Sequence, residues 1–453
     1  MKIAVHTAVC VAFMAMLCTA NEPAWDLAEA EKRIRQHRMS DAVVEITLPD
    51  GIQAPAGVTV TIDQTGHEFH FGGFLGPVRV YHDRPELQTF LKQFSQVFNY
   101  ATLPFYWSQH ERQPGTWMLN EHTEKAMRFA REQGMTTKGH PMMWHNTLPA
   151  FVEKEPRVDQ IDRYVMDHVR MLASEYSQVD QWDLYNETPG IRLKPAENGA
   201  RRWVESLGGP GPCTQKIVSA VRQVQPGGYF LLNHFRHDDP QYHDQIRYCL
   251  DHGVDFSAIG IQTHMHKKSD VITPEQLWDM LQRFAQYKKP IHLTEVSIVS
   301  CEPLSDWRQV QQQEAAVERA RRNHGPDPAI PSTPDGERRQ AESLREFYTI
   351  AFSHPNVEAI VWWSLSDEKA WRGMPSGLLD TQLNPKPAYE TLDQLVNHQW
   401  RTSESCDVDE QGRVSFRGFR GDYRVTLAKD GVKLEGTFRL TEENADAISV
   451  SLH

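Results

Sequence analysis

Two short segments of the chain each place a glutamate at or near the end of an apolar, β-prone run. Glu187 closes the segment Trp182–Glu187 (WDLYNE), and Glu295 lies within His292–Ile298 (HLTEVSI). A carboxylate that directly follows a buried strand is costly unless it is paired or used in chemistry. Two such carboxyls at one site can cleave a glycosidic bond, with one as proton donor and the other as nucleophile. We predict that Glu187 and Glu295 form such a pair.

The middle of the chain alternates short apolar segments with amphipathic helical patterns. Eight strands with intervening helices favour a (β/α)8 TIM barrel, an α/β fold whose reactive groups lie at the carboxyl ends of the strands. A doubly wound sheet is the alternative, but no glycine-rich phosphate loop follows the first strand. The predicted strands are Glu68–Phe74, Val97–Thr102, Thr137–Met142, Gln181–Asn186, Tyr229–His234, Ala258–Thr263, Ile291–Val296 and Ala359–Ser364.

Two β-rich pieces flank the predicted barrel. The segment Val43–Ile62 alternates around a Pro/Gly turn, which predicts a hairpin, and the tail from Gly412 has three or four strand signals. Neither piece is large enough to be stable alone, so we expect them to form one small β-sandwich beside the barrel. The predicted division is a signal peptide at 1–20, a β lead-in at 21–66, the barrel at 67–398 and a C-terminal β tail at 399–453.

The first twenty residues have the pattern of a secretory signal. Lys2 supplies the positive start, Ile3–Leu17 is mostly apolar, and Ala20 is a small residue before a cleavage point. We therefore expect an exported protein, periplasmic or extracellular. A lipoprotein anchored at Cys18 is the alternative, disfavoured by the bulky Leu17. No other stretch is long and apolar enough to span a bilayer.

Charge and cysteine content restrict the partners. The chain has 48 basic and 60 acidic residues, a net charge of −12, which argues against nucleic acid or an anionic membrane and suits a neutral substrate. The cysteines beyond the signal are too well spread for a disulfide framework, and none forms a CxxC pair, so no structural zinc site is expected. Their pairing stays open: they are Cys213, Cys249, Cys301 and Cys406.

Several polar and aromatic residues fall at or just after the predicted strand ends. Groups from five different strands that converge on one face of a barrel are hard to explain by packing alone. They are His140, Trp144 and His145 for the third strand, Asn186 and Glu187 for the fourth, Gln262 and His264 for the sixth, Glu295 for the seventh, and Trp363, Asp367 and Trp371 for the eighth.

These motifs resemble glycoside hydrolase family 10, the retaining endo-β-1,4-xylanase family. The resemblance spans roughly residues 65–398, and the paired WD..NE and TE motifs in order make it specific. The matching strings are FNYAT…W (Phe98–Trp107), GHPMMWHNTLPAFV (Gly139–Val152), WDLYNE, GIQTHMH (Gly260–His266), HLTEVSI, VWWSLSDEKAW (Val361–Trp371) and GLLDTQLNPKPAYETL (Gly377–Leu392).

The resemblance implies a role for each matching residue. Glu187 would be the general acid/base and Glu295 the nucleophile, with carboxyls about 5–5.5 Å apart as in retaining enzymes. Asn186 would bond the sugar 2-hydroxyl, and His264 would hold Glu295 in orientation. The remaining predicted contacts to substrate are Gln262 and His140 to sugar hydroxyls, Trp363 and Trp371 as stacking faces, and Trp144 as supporting wall. No cofactor is implied.

The sequence also departs from the family pattern in three places. Leu103–Trp107 replaces an ENxxKW-type string whose polar groups bind the sugar next to the cleavage point. Ser297 replaces the usual aspartate two residues after the nucleophile, so His264 is expected to lack an anionic partner. Asn233-His234-Phe235 replaces the common Asn-Asp-Tyr. We therefore expect intact catalytic machinery with a rebuilt sugar pocket on the non-reducing side.

Other interpretations of the same residues stay open. His264 and His266, with His67 or His70, could bind a metal in a metal-dependent hydrolase, although the spacing of His67 and His70 puts them on opposite faces of a strand. A non-catalytic glycan-binding protein using the aromatic cleft is a further alternative. Trp371 could be a core aromatic.

Several residues outside the predicted catalytic pair are interpreted as structural. Trp107 could be a core aromatic, and His145 is expected to be packed and hydrogen-bonded. The polar segment Ser305–Asp335 is expected to be a surface excursion near the barrel mouth, with Arg319, Arg321 and Arg322 on a solvated helix face. The β tail lacks an exposed aromatic row, so a scaffold role is expected for it.

The predicted partner is a plant-type or algal β-glycan, and we expect a monomer.

Overall fold

The computed structural model describes residues 23–429, 432–444 and 448–453. The predicted signal segment at 1–20 lies outside the described residues. The strands are β1 (Met39–Thr47), β2 (Thr59–His67), β3 (His70–Phe74), β4 (Tyr100–Pro104), β5 (Thr136–His140), β6 (Met143–Trp144), β7 (Gln181–Asp183), β8 (Tyr185–Asn186), β9 (Tyr229–His234), β10 (Ala258–Met265), β11 (Ile291–Ile298), β12 (Val357–Trp362), β13 (Ser403–Asp407), β14 (Arg413–Phe419), β15 (Gly421–Lys429), β16 (Val432–Leu440) and β17 (Ile448–Ser451).

The helices lie mainly between the barrel strands. They are α1 (Leu27–Arg38), α2 (Val78–Tyr81), α3 (Leu87–Val97), α4 (Trp107–His110), α5 (Glu121–Glu132), α6 (Ala150–Glu153), α7 (Val158–Glu175), α8 (Gly199–Ser206), α9 (Pro210–Val224), α10 (Pro240–Asp251), α11 (Pro274–Ala285), α12 (Trp307–Arg322), α13 (Pro334–Ser353) and α14 (Pro387–Asp393). Within the described residues, no helix is long and apolar enough to cross a membrane.

Eight parallel strands close into one barrel, in the order β3, β4, β5, β7, β9, β10, β11, β12 and back to β3. The predicted (β/α)8 barrel is therefore confirmed, and each of its strands overlaps one of the eight predicted segments. All eight residues of β11 are buried. Strands of a parallel barrel are covered on both faces, by interior side chains and by the outer helices, so they appear in the sequence as continuous apolar runs.

The outer helices follow the amphipathic pattern and begin at defined caps. In α7 the buried residues Ile161, Val165, Val169 and Leu172 recur at three- and four-residue spacing, which places one apolar face against the barrel. The start of α11 combines a Thr273 cap with Pro274 as the first helical residue. Such caps satisfy amide groups that the first turn leaves without partners.

The N- and C-terminal regions form two further sheets around one apolar core. One sheet has the order β14-β1-β17, and the other has the order β13-β2-β15-β16. Both contribute to a single buried cluster that includes Val44, Ile62 and Val425. The expected β-sandwich of N-terminal and C-terminal strands is confirmed.

The hairpin predicted at Val43–Ile62 is wrong. β1 and β2 lie in different sheets, because β1 pairs with β14 and β17 whereas β2 pairs with β13 and β15. Alternate residues of each strand are buried. Their apolar faces therefore meet across the core, and their backbone edges are filled by strands from the tail.

The sandwich packs at the amino-terminal ends of the barrel strands. The His67 ring lies 5.5 Å from the Phe352 ring and 5.7 Å from the Phe419 ring, measured between ring centroids. The buried Arg38 guanidinium donates to the carbonyl oxygens of Phe352, His354 and Val357 at 2.8, 2.6 and 2.7 Å. Since Val357 begins β12, this attachment lies at the end of the barrel opposite the predicted reactive groups.

The segment Ser305–Asp335 contains the helix α12, on whose solvated face Arg319, Arg321 and Arg322 were expected. α12 is largely exposed, with Val310 and Val317 as its buried residues. It packs against the turn Trp371–Gly373, which follows β12. The expected position near the barrel mouth is confirmed, because that turn carries one of the predicted site residues.

Candidate active site

The two predicted glutamates lie at the same rim of the barrel, and Asn233 connects them. Glu187 directly follows β8 and has a left-handed backbone conformation, with φ 59° and ψ 32°. Its amide donates to the carbonyl oxygen of Asn233 at 2.8 Å. The Asn233 side chain in turn donates from Nδ2 to Glu295 Oε1 at 3.0 Å. One residue at the end of β9 thus positions the backbone of one glutamate and the carboxyl of the other.

Two N–H donors hold the Glu187 carboxyl. Trp144 Nε1 donates to Oε2 at 3.1 Å, and Gln262 Nε2 donates to Oε1 at 3.0 Å. Gln262 also reaches Asn186 Oδ1 at 3.4 Å, so all four predicted residues are brought together. Burial and the nearby Glu295 carboxylate raise the pKa of Glu187 above its usual value. A raised pKa favours the protonated form that a proton donor requires.

Three side-chain nitrogen atoms lie around the Glu295 carboxyl. Besides Asn233, His264 Nε2 lies 3.0 Å from Oε2, and His140 Nε2 lies 3.9 Å from Oε1. Burial raises the pKa of Glu295 to about 7, while His140 and Lys138 oppose that rise. The two carboxyls are buried and electrostatically coupled, so they titrate as a pair.

His264 is held by a serine. Its Nδ1 lies 2.8 Å from Ser297 Oγ, while its Nε2 faces Glu295. Burial, together with the charges of Arg372 and His140, keeps the pKa of His264 well below its usual range. A lowered pKa favours the neutral imidazole, and in the tautomer that accepts from the serine hydroxyl at Nδ1, Nε2–H donates to the Glu295 carboxylate. Nδ1 of His264 thus faces a hydroxyl, and the carboxylate beside this ring is that of Glu295.

A buried ion pair, Lys138 with Asp183, contacts His140 and helps to hold its ring in place. Lys138 Nζ lies 3.0 Å from Asp183 Oδ2, and both side chains are fully buried. The same carboxylate oxygen lies 2.7 Å from His140 Nδ1. Burial alone would raise the pKa of Asp183, but Lys138 and His140 outweigh it and lower that pKa. The sequence predicted no role for Lys138 or Asp183, although a charged residue inside an apolar strand is a signal that could have found them.

Aromatic rings line the rim around the carboxyls. Trp363 stacks on Phe74 at 4.1 Å and meets His140 edge-on at 5.2 Å, between ring centroids. The Trp371 ring lies 4.5 Å from the His264 ring. Tyr106 lies 5.7 Å from His140 and 6.1 Å from Trp144, a position that the sequence did not predict. Every residue predicted to bind substrate is thus found at this rim.

Other residues that the sequence singled out belong to the core. Trp107 stacks on His168 at 3.8 Å and donates to Glu111 at 2.6 Å, so its core interpretation is confirmed. His145 is buried and packs near Tyr185, although its Nδ1 has no hydrogen-bond partner. Asp367 accepts from the amide of Gly377 and pairs with Lys386 at 3.0 Å.

The predicted solvated face of α12 needs a partial correction. Arg321 does not simply point into water: its guanidinium pairs with Asp327 at 2.6 Å and reaches the carbonyl oxygen of Lys369 at 3.2 Å. Arg319 and Arg322 are exposed, as expected. Arg321 therefore ties α12 to the loop that carries Trp371.

The alternative metal site is not assembled. His264 and His266 lie near the carboxyl end of β10, whereas His70 begins β3 and His67 packs against the sandwich at the opposite end. The described residues contain no group of three or more His, Cys, Asp or Glu side chains suited to holding a metal ion. The cysteines Cys213, Cys249, Cys301 and Cys406 are all free thiols.

Comparison with solved structures shows the same fold at low sequence identity. A family 10 endoxylanase from a sugarcane soil metagenome superposes with a TM-score of 0.59 and 21% identity, over 72% of this chain and 97% of that one. Xylanase 10B from Thermotoga maritima gives a TM-score of 0.58 and 19% identity, over 73% and 96%.

Curated relatives include enzymes and a regulator. Endo-1,4-beta-xylanase B of Thermotoga neapolitana is 24% identical over 298 residues, which are 62% of this chain and 75% of that protein. Anti-sigma-I factor RsgI6 of Acetivibrio thermocellus is 22% identical over 413 residues, 89% of this chain. The chain spans about half of that factor, 47% of its length.

The sequence profile of one family covers most of the chain. Residues 63–395 match Glycosyl hydrolase family 10. This range contains the whole barrel and both rim glutamates, and its limits agree with the resemblance carried by the motifs. The chain belongs to glycosyl hydrolase family 10.

Proposed function

We propose that this protein is a retaining, endo-1,4-β-xylanase-like hydrolase that cleaves xylan or a related decorated β-glycan. The observation that carries the proposal is the buried pair Glu187 and Glu295, joined through Asn233. The relatives named as xylanases support the substrate class. A different glycoside within the same family is the nearest alternative.

In the first step, a carboxylate oxygen of Glu295 attacks the anomeric carbon of the sugar. The bond from that carbon to the glycosidic oxygen breaks, and the oxygen takes the proton of Glu187 as it leaves. The three nitrogen neighbours of Glu295 stabilise its charge before attack. Positive charge that develops on the sugar also favours the ionised form of Glu295, so the proton shared by the two carboxyls is held by Glu187 rather than by Glu295.

In the second step, water attacks the anomeric carbon of the glycosyl-enzyme ester. The ester bond to Glu295 breaks, and Glu187 accepts the proton of the water. While the ester exists the charge of Glu295 is absent, so the pKa of Glu187 is lower than before and its carboxyl stays ionised until it accepts the proton of the water. Asn186 is positioned beside Glu187 by Gln262, where we propose that it binds the sugar 2-hydroxyl.

The wild-type protein is expected to hydrolyse members of a panel of β-linked oligosaccharides, and two variants test the roles of the glutamates. Glu295→Ala should abolish turnover. Glu187→Ala should lower kcat by about 10²–10⁴-fold, and azide should restore it on substrates with good leaving groups by forming the β-glycosyl azide. Glu124→Ala, on the exposed face of α5, is the matched control and should keep full activity. Full activity of Glu295→Ala would contradict the proposal.

A non-catalytic glycan-binding protein is the second candidate, since Trp363 and Trp371 give the rim aromatic faces on which a sugar can stack. The presence of both glutamates, each with its donors, argues against it. The same panel separates the two candidates, because a binding protein would retain oligosaccharides without turnover.

We also propose that the protein is exported and monomeric, with its signal cleaved near Ala20 and a plant-type or algal β-glycan as its substrate. We further propose the domain limits expected from the sequence. The barrel extends over 67–398, and 21–66 and 399–453 together form a scaffold. Mass spectrometry of the mature amino terminus tests export. A free terminus near residue 21 supports it, and a lipid-modified Cys18 would indicate the anchored alternative.

A further inference from the structure

Trp307 is unusual because nearly half of its surface is exposed to solvent. Trp307 is 46% exposed, and it is the only tryptophan among the large hydrophobic residues exposed in the described part of the chain. An indole has a large apolar area that folding normally buries. An exposed one on an ordered element therefore suggests a contact surface.

Trp307 lies beside the candidate active site. The guanidinium carbon of Arg372 is 3.8 Å from the Trp371 ring centroid and 5.0 Å from that of Trp307. One guanidinium group thus separates the two indoles. Because Trp371 contacts His264, and His264 contacts Glu295, the row of side chains runs outward from the nucleophile to Trp307.

The position of Trp307 is fixed by the packing of α12, which begins with this residue. Glu314 pairs with Arg372 at 3.2 Å, and Arg321 reaches the carbonyl oxygen of Lys369 at 3.2 Å. Gly373 approaches α12 so closely that a Cβ there would lie 2.9 Å from Val317 Cγ2. A ring held in place before binding loses little conformational entropy when a ligand covers it.

We propose that Trp307 is a further sugar-binding platform, which stacks on a pyranose ring of the β-glycan beyond those nearest the two glutamates. The inference rests on the proposed function. The apolar C–H face of a pyranose matches the free face of the indole, whose other side is occupied by Arg372. Because Glu314 already pairs with Arg372, the platform selects a neutral sugar rather than an acidic decoration.

The test is the dependence of kcat/KM on the length of the substrate. The value of kcat/KM is measured on xylo-oligosaccharides of two to six units for the wild type, Trp307→Leu and Trp307→Phe. For Trp307→Leu, the ratio of kcat/KM between the longest and shortest substrates should fall about tenfold, because the stacking face is lost. Trp307→Phe should retain most of the ratio. The matched control is Val432→Ala, at an exposed position of the sandwich, which should leave the series unchanged.

A series for Trp307→Leu that runs parallel to that of the wild type would overturn the inference, since a purely structural role lowers kcat/KM equally at all lengths. A larger loss on uronic acid-substituted oligosaccharides than on neutral ones would overturn the assignment of a neutral sugar. If the wild type hydrolyses nothing in the panel, the proposed function fails instead. The platform is then judged by calorimetric affinities for the same oligosaccharides, where the same length-dependent loss is required.

Discussion

At the scale of single residues, Ser297 sets the charge of the group beside the proposed nucleophile. Its hydroxyl contacts Nδ1 of a neutral His264, whose other nitrogen faces Glu295. Glu295 must be ionised to attack, so activity falls at low pH as this carboxyl gains its proton. Since burial raises its pKa to about 7, we expect the acid limb of the kcat/KM profile above the usual glutamate range, between pH 4.5 and about 7.

Replacing Ser297 by aspartate should move that acid limb to lower pH. A carboxylate next to Nδ1 raises the pKa of His264, and the resulting cation favours the ionised form of Glu295. The expected shift is about one pH unit in the kcat/KM profile. Ser297→Ala is the control: it should lower activity by loosening His264 while leaving the limb in place. An unchanged or upward-shifted limb in Ser297→Asp would contradict this account.

The buried pair Lys138 and Asp183 should reveal itself in stability. Lys138→Met leaves the Asp183 charge buried with only His140 nearby, so we expect unfolding free energy to fall by about 3–5 kcal/mol. The double variant Lys138→Met/Asp183→Asn should recover most of that loss, because no buried charge is left alone. Urea denaturation of the two single variants and the double variant measures this coupling. Equal and additive losses would show that the pair is not coupled.

The sequence predicted the proposed reactive residues better than the residues that hold them in place. Glu187, Gln262 and His264 follow apolar runs at strand ends, where a polar residue needs a chemical reason. Asn233 and Tyr106 were noted only as departures from a family pattern, and their contacts depend on which strands become neighbours. Neighbouring strands are set by barrel closure, which no local pattern in the sequence contains.

At the scale of elements, the contact between α12 and the turn after β12 controls where Trp371 lies. Gly373 has φ 62°, and a Cβ there would lie 2.9 Å from both Gln313 Nε2 and Val317 Cγ2. Gly373→Ala should therefore push α12 away from the turn and lower kcat/KM on long oligosaccharides.

Gly115→Ala is the matched control for that substitution. Gly115 has a similar φ of 76°, but an added Cβ would meet nothing within 4 Å. It should show only the cost of the left-handed conformation, about 1 kcal/mol in unfolding free energy, and unchanged kcat/KM. Equal effects of the two substitutions on kcat/KM would contradict the proposed role of the contact.

The elements were predictable where local pattern decides and not where distant pairing does. The barrel strands are short apolar runs with strong boundaries, so their positions follow from sequence. The expected hairpin at Val43–Ile62 failed because the alternation of β1 and β2 fits two facing strands as well as two paired ones. The limits of α12 could not be predicted from an apolar stripe, because only Val310 and Val317 are buried in it.

At the scale of the whole molecule, the sandwich and the candidate active site lie at opposite ends of the barrel. Val44 is fully buried in the sandwich core. Val44→Ala should lower unfolding free energy by about 2–3 kcal/mol while kcat/KM at 25 °C stays unchanged. The exposed Val432→Ala should change stability by less than about 0.5 kcal/mol. Chemical denaturation with parallel kinetics measures both, and loss of kcat/KM in folded Val44→Ala would contradict this separation.

The double displacement proposed for Glu187 and Glu295 fixes the stereochemistry of the product. The most direct measurement is proton NMR of the first anomeric product released from a β-linked xylo-oligosaccharide, recorded before mutarotation. Two successive inversions at the anomeric carbon predict that the β-anomer appears first. Initial appearance of the α-anomer would contradict the mechanism and the roles of both glutamates.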